Sequence, residues 1–160
     1  MNRTCQHGYE LIGNHCYKIY TSPRLVWEDA LSECLSQSGY LAVIDTYEKL
    51  QGIVPVLRLV QWPSTFHVGF KRDLVSWSWL DGTSVDTTLF DAGYPQKESG
   101  ETCIAFDGYY PVMINLLCND LPGYACQSAQ GEKKRRRDVV LIPLNSDYKF
   151  YFRAVARVRK

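Results

Sequence analysis

No apolar run in the sequence reaches the ~18 residues that a membrane-spanning helix needs, so no segment is expected to cross a bilayer. There is no Cys-x-x-Cys pair, no His-Glu-x-x-His pair, no Gly-x-Ser-x-Gly turn and no glycine-rich phosphate loop. Thiol-redox, metallohydrolase, serine-hydrolase and nucleotide chemistry are therefore left without their usual carriers. The histidines His7, His15 and His67 are scattered, and no nucleophile, base and oxyanion donor group together, so the chain is not expected to be an enzyme. The start, Met1-Asn-Arg-Thr-Cys5, also lacks the apolar stretch of a signal peptide. We therefore expect a mature or truncated fragment.

What is present is ordinary globular material with an unusual cysteine set. Hydrophobic residues make up 46% and charged residues 22% of 160 positions, enough for one domain and a remainder. Six cysteines, an even number without zinc-ligand spacing, predict a disulfide framework, for which fifteen connectivities exist on the sequence alone. Such a framework places the chain in an oxidising, extracellular setting. The net charge of +1 hides two opposed regions. Residues 1–130 carry 8 Lys/Arg against 14 Asp/Glu, a net of −6, whereas residues 131–160 carry 10 against 3, a net of +7. That asymmetry marks a boundary between a domain at 1–130 and a basic tail at 131–160.

Along the chain, Gly8 and Gly13 break the Cys5 to Cys16 segment into a hairpin-like pattern. Trp27, Ala30, Leu31 and Cys34 recur at i, i+3, i+4 and i+7, an amphipathic helix expected to start at Ser22-Pro23 and stop at Gly39. Tyr40 to Ile44 reads as a buried strand. Asp45 with Glu48 predicts the cap of a second helix, its apolar face formed by Leu50, Ile53, Val54 and Leu57, with a kink or an end near Val54 because Pro55 follows. Between Cys103 and Cys126 two short strand-like runs are divided by turn residues, and three cysteines fall among them.

These motifs together resemble the C-type lectin-like domain over about residues 3–128. Trp77-Ser-Trp79-Leu-Asp81-Gly82 resembles the run that opens the family's long loop, Tyr94-Pro95-Gln96 the Pro-centred tripeptide at its tip, and Cys103, Cys118 and Cys126 the closing cysteines. His67-Val-Gly69-Phe70 stands where the family usually has Trp-Ile-Gly-Leu, with His67 replacing the tryptophan. The resemblance implies an α+β fold in which two helices flank antiparallel sheets, with a long loop region. It implies three disulfides, Cys5 to Cys16, Cys34 to Cys126 and Cys103 to Cys118. A weaker likeness connects Asn145 to Val155 with late strands of a fibronectin type III domain.

The resemblance also implies a ligand face on the long loop, formed here by Tyr94, Pro95, Gln96, Lys97, Glu98, Glu101 and Asn115. In calcium-dependent members, side-chain oxygens hold the ion and sugar hydroxyls complete its coordination. Aligned on Cys118, the family's Asn and Asp ligands become Ile114 and Asn115, and Tyr94 supplies no carboxylate. A calcium set would reduce to Gln96, Glu101 and Asn115, with one charge among them, so binding without calcium is expected and calcium is the lesser alternative. The loop proline, Pro95, is often cis in the family. Trp27, Trp77 and Trp79 are expected in the core, whereas Tyr94, Tyr109 and Tyr110 are contact candidates. The basic run Lys133, Lys134, Arg135, Arg136 and Arg137 admits three readings: a solvated charge run, a heparin-like polyanion site, or a cleavage site after Arg137. Asn2-Arg3-Thr4 fits a glycosylation sequon. The expected function is recognition of a glycan or protein ligand, with no nucleic-acid partner. The resemblance further implies a fragment of a larger receptor or secreted protein.

Overall fold

The computed structural model describes residues 4–60, 65–72, 77–90, 103–107 and 112–129, together with two short paired strands at 140–141 and 152–153. A first hairpin, β1 (Glu10–Ile12) and β2 (His15–Tyr20), pairs Ile12 with His15 around the two-residue turn Gly13-Asn14. Gly13 has φ +60°, which primed hairpin turns require and glycine supplies without strain.

Helix α1 (Trp27–Ser36) buries the predicted stripe of Trp27, Ala30, Leu31 and Cys34. It starts later than Ser22-Pro23, because its cap is not local. Val26 offers no side-chain cap, and the orphan N–H of Trp27 donates to the carbonyl of Cys118 at 2.9 Å. The helix ends at Ser36 with Gln37 as its cap, and the left-handed residue just beyond it is Ser38, φ +59°, rather than Gly39. Gly39 is demanded for another reason: a Cβ there would meet the Gln127 carbonyl and the Tyr9 hydroxyl, both at 2.7 Å.

Strand β3 (Gly39–Leu41) pairs antiparallel with the last main strand. The predicted strand to Ile44 stops there, because Ala42 is shared by two neighbours. Its N–H donates to Ala125 and its carbonyl accepts from Gly69, while Val43 N–H donates to Gln127 Oε1 at 3.0 Å. Helix α2 (Tyr47–Arg58) is capped by Thr46, whose hydroxyl accepts from Lys49 N–H at 3.3 Å. Asp45 instead pairs with the Lys49 ammonium at 2.5 Å. The helix runs through Pro55 and does not end at Val54. Pro55 and Gln51, whose carbonyl loses its bond, both lie on the exposed side, and Leu50, Ile53, Val54 and Leu57 are buried on either side of the interruption.

The remaining strands are β4 (Thr65–Arg72), β5 (Trp77–Trp79), β6 (Cys103–Asp107), β7 (Val112–Leu116) and β8 (Gly123–Ser128). The eight strands form one sheet in the order β1-β2-β8-β4-β6-β7, with β3 added on β8 and β5 on β4. The sheet is mixed rather than antiparallel throughout. β4 and β8 run parallel, pairing Phe66 with Gly123 and His67 with Tyr124, because the chain reaches β8 only after the β6–β7 excursion. A separate two-stranded sheet, β9 (Val140–Leu141) with β10 (Phe152–Arg153), lies in the tail.

Strand alternation divides the core in two. Phe66, Val68 and Phe70 of β4 join Ile104, Phe106, Met113, Trp79 and the apolar face of α2. The opposite faces present Cys103, Ala105, Leu116, Tyr124 and Cys126 to Leu41 and to the stripe of α1. The bridges Cys5–Cys16, Cys34–Cys126 and Cys103–Cys118 are all formed, and no cysteine is free among the described residues.

Candidate functional site

The site grows out of the aromatic base beneath the long loop. Gly69 on β4 admits no side chain, since a Cβ would sit 2.5 Å from the Leu41 carbonyl. Next to it, Phe70 stacks on Trp77 at 5.4 Å and 11°, meets Trp79 edge-on at 4.8 Å, and tilts against Phe90 at 5.4 Å. Trp27 is buried as well, its indole N–H donating to the Val68 carbonyl at 2.9 Å. Trp27, Trp77 and Trp79 are thus structural, as expected of large aromatics, and they root the loop.

Two turns lead from this base to the loop. Asp81 Oδ1 accepts from Thr83 N–H at 2.8 Å around Gly82, whose φ is +77°. Asp86 caps the 3-10 turn Thr87–Leu89, accepting from Thr88 N–H at 2.9 Å and from the Thr88 hydroxyl at 2.6 Å. Those two donors, the hydroxyl first, hold the Asp86 carboxyl below its ordinary range. Phe90 then bridges in parallel to Met113 of β7, so one foot of the loop stands beside β7. The other foot is Cys103, bonded to Cys118.

On β7, Asn115 faces Ile104 across the β6–β7 ladder and is 7% exposed, while Ile114 pairs with Ala105 and packs half-buried against the second core cluster. The neutral amide of Asn115 is thus placed at the loop base. Of the other predicted face residues, Tyr94, Pro95, Gln96, Lys97, Glu98 and Glu101 lie outside the described residues, as do Tyr109, Tyr110, Asn2 and the run Lys133 to Arg137. Among the described residues, no group of three His, Cys, Asp or Glu is arranged to hold a metal.

Two features escaped the sequence reading. The Leu117 to Leu121 turn that follows β7 presents Leu117 (44% exposed) and Leu121 (54% exposed) to solvent. Asp120 Oδ2 accepts from Leu117 N–H at 3.1 Å, and Asp120 N–H donates to the Leu117 carbonyl at 3.0 Å. The second is Lys71, which ion-pairs with Glu28 and lies over the Trp27 ring at 4.7 Å, tying β4 to α1. The spacing Leu117-x-x-Asp120-Leu121 was a signal for the first; nothing in the sequence marked the second.

The family model for the lectin C-type domain matches residues 24–128. The chain belongs to the C-type lectin domain family. It is 26% identical over 132 residues to the snaclec bitiscetin subunit alpha of Bitis arietans, covering 78% of this chain and 95% of that one. It is 24% identical over 128 residues to one subunit of the snaclec coagulation factor IX/factor X-binding protein of Echis carinatus, covering 78% and 97%. Among solved structures, a calcium-independent type II antifreeze protein shares the fold with a TM-score of 0.66, 23% identity and coverage of 78% and 94%. This is a family of lectins and related binding modules, not an enzyme family. The matched segment ends at Ser128, and the tail's likeness to fibronectin type III strands finds no support in the comparisons. No helix among the described residues is long and apolar enough to cross a membrane.

Proposed function

We propose that this C-type lectin domain is an extracellular recognition module that binds a glycan or protein ligand through its long-loop face without calcium. The observation that carries this reading is the pair on β7. Where calcium-dependent members present two oxygen ligands, this chain has Ile114, packed against the core, and Asn115, a neutral and nearly buried amide. Calcium requires six to eight hard oxygens with carboxylate charge among them, and this pair contributes one neutral oxygen at most. A snaclec relative named for binding coagulation factors supports the choice of a protein as one class of ligand. The three disulfides support the extracellular placement. The face is completed by Tyr94, Pro95, Gln96, Lys97, Glu98 and Glu101, and the recognition domain occupies 1–130. A glycan array and a panel of extracellular proteins, each probed with calcium and then with chelator, test the reading. Retained binding in chelator is expected; binding lost in chelator would establish the calcium-dependent alternative through Gln96, Glu101 and Asn115.

A second reading rests on the charge division of the chain. A net of +7 within 30 residues favours a heparin-like polyanion as a partner of Lys133 to Arg137. Heparin retention should fall steeply with salt and vanish on cutting after Gln130. Undiminished retention of residues 1–130, which carry −6, removes the tail from the function.

A further inference from the structure

His67 occupies a place where a titratable group has no structural need to be. It sits on β4 between Ala105 of β6 and Tyr124 of β8, facing the apolar cluster around α1, and is 0% exposed. Its Nε2 lies 3.3 Å from the backbone carbonyl of Asp120, and its Nδ1 has no hydrogen-bond partner among the described residues. A carbonyl only accepts, so Nε2 carries the proton and Nδ1 keeps a bare lone pair. A second proton would place a charge and a new donor at Nδ1 with no acceptor before it.

We propose that His67 is an acid-sensitive clasp, whose protonation opens the 117–122 turn and loosens the foot of the β6–β7 hairpin. Among the described residues, the groups around it offer little compensation. β6 contributes Ala105, and β8 contributes Tyr124, whose phenol is pushed up to about 12 by burial and stays neutral. On its own strand, Lys71 is engaged with Glu28. Asp120 favours the charged ring through its carbonyl and its carboxylate, but burial outweighs both and lowers the His67 pKa to about 4. The turn is the element that yields, because β4, β6 and β8 are locked by ladders and core. The turn is exposed at Leu117, Asn119, Asp120 and Leu121. Opening it brings water to the imidazole and withdraws the Cys118 carbonyl from Trp27 N–H at the start of α1.

The sign follows from the lowered pKa. The open state binds the proton more readily than the closed one, so closure is fully stable above the free-histidine value of 6.5. It weakens as pH falls toward about 4, and is level below that. A span of that width corresponds to a change of roughly a hundredfold or more in the opening equilibrium. The clasp operates whichever ligand the long loop takes.

The experiment is a pH titration of the full chain from 7.5 to 3.5. NMR follows the His67 ring, and hydrogen exchange, corrected for intrinsic rates, follows the amides of Trp27, Leu117 and Asp120. The ring is expected to hold its proton on Nε2 and to remain neutral at pH 5.5. Protection at those amides should fall about a hundredfold between pH 6.5 and 4 while β6 and β8 keep theirs. His67→Gln, uncharged at every pH, should abolish the step, and Asp120→Asn should retain it. A ring already charged at pH 6, a loss spread evenly over the domain, or a step that persists in His67→Gln overturns the proposal. Should His67→Gln fail to fold, the wild-type ring titration and exchange map decide alone.

Discussion

The two edges of the main sheet are both disulfide-stapled hairpins, and they are built very differently. At one edge, β1–β2 is closed by Cys5–Cys16 across 11 residues; at the other, β6–β7 is closed by Cys103–Cys118 across 15. Chain entropy rates the two crosslinks almost alike, at about 3 kcal/mol each. Their surroundings do not. Glu10 and Leu11 of β1 face solvent, whereas Cys103, Ile104, Ala105 and Phe106 of β6 are fully buried. Moreover, Cys118 sends its carbonyl to the first N–H of α1, and Cys103 holds a foot of the long loop. A crosslink of given length therefore matters in proportion to what its hairpin supports.

The scale for this comparison is the third bridge. Cys34–Cys126 joins α1 to β8 across a separation of 92 residues, and both sulfurs are buried. Replacing both cysteines by serine should cost between about 4 and 5 kcal/mol in loop entropy, with buried hydroxyls adding to it. Since a domain holds roughly 5 to 15 kcal/mol in total, little folded protein should remain at 37 °C, as circular dichroism would record. Cys103→Ser with Cys118→Ser comes next, with a loss of more than about 3 kcal/mol, because the cap of α1 and the loop foot loosen together. Denaturant midpoints measure it, and a loss below about 2 kcal/mol would erase the contrast between the two edges.

Cys5→Ser with Cys16→Ser should be the mildest of the three. β2 remains paired to β8 from Tyr17 to Tyr20, so the β1 end frays without unfolding the sheet. The expected loss is below about 3 kcal/mol, with exchange faster in β1 alone. Equal losses for the two edge bridges would mean that loop entropy by itself sets their weight.

Much of this arrangement was legible in the residues because it is local. The spacing of Trp27, Ala30, Leu31 and Cys34 identified the buried stripe of α1, and Gly13 identified the turn of the first hairpin. The resemblance supplied the pairing of the bridges, which spacing alone left open among fifteen. What escaped was fixed by atoms distant in sequence. The start of α1 depends on the Cys118 carbonyl, and the end of β3 depends on Ala42 being shared by Ala125 and Gly69. Proline chemistry predicted a break in α2, but burial on both sides of Pro55 held the helix together. Of the candidate site, Asn115 and the aromatic base fall within the described residues, and the loop tip lies outside them.

The smallest expected effect sharpens the comparison from the side of function. If the β6–β7 edge carried a calcium site, millimolar calcium would stabilise that edge selectively and raise the melting temperature with it. A ligand stabilises by RT ln(1 + [L]/Kd), so an ion present near or below its Kd adds less than about 0.4 kcal/mol. For a domain of this size that is a shift of about 2 °C or less. Such a near-null shift is expected here, because Ile114 and Asn115 bring no charge to the loop base and leave Glu101 as the single carboxylate in the candidate set. Differential scanning calorimetry with calcium and with chelator measures it. A rise of many degrees, abolished by Glu101→Gln, would show that the loop assembles a competent site from residues beyond β7, and the calcium-free reading would fall.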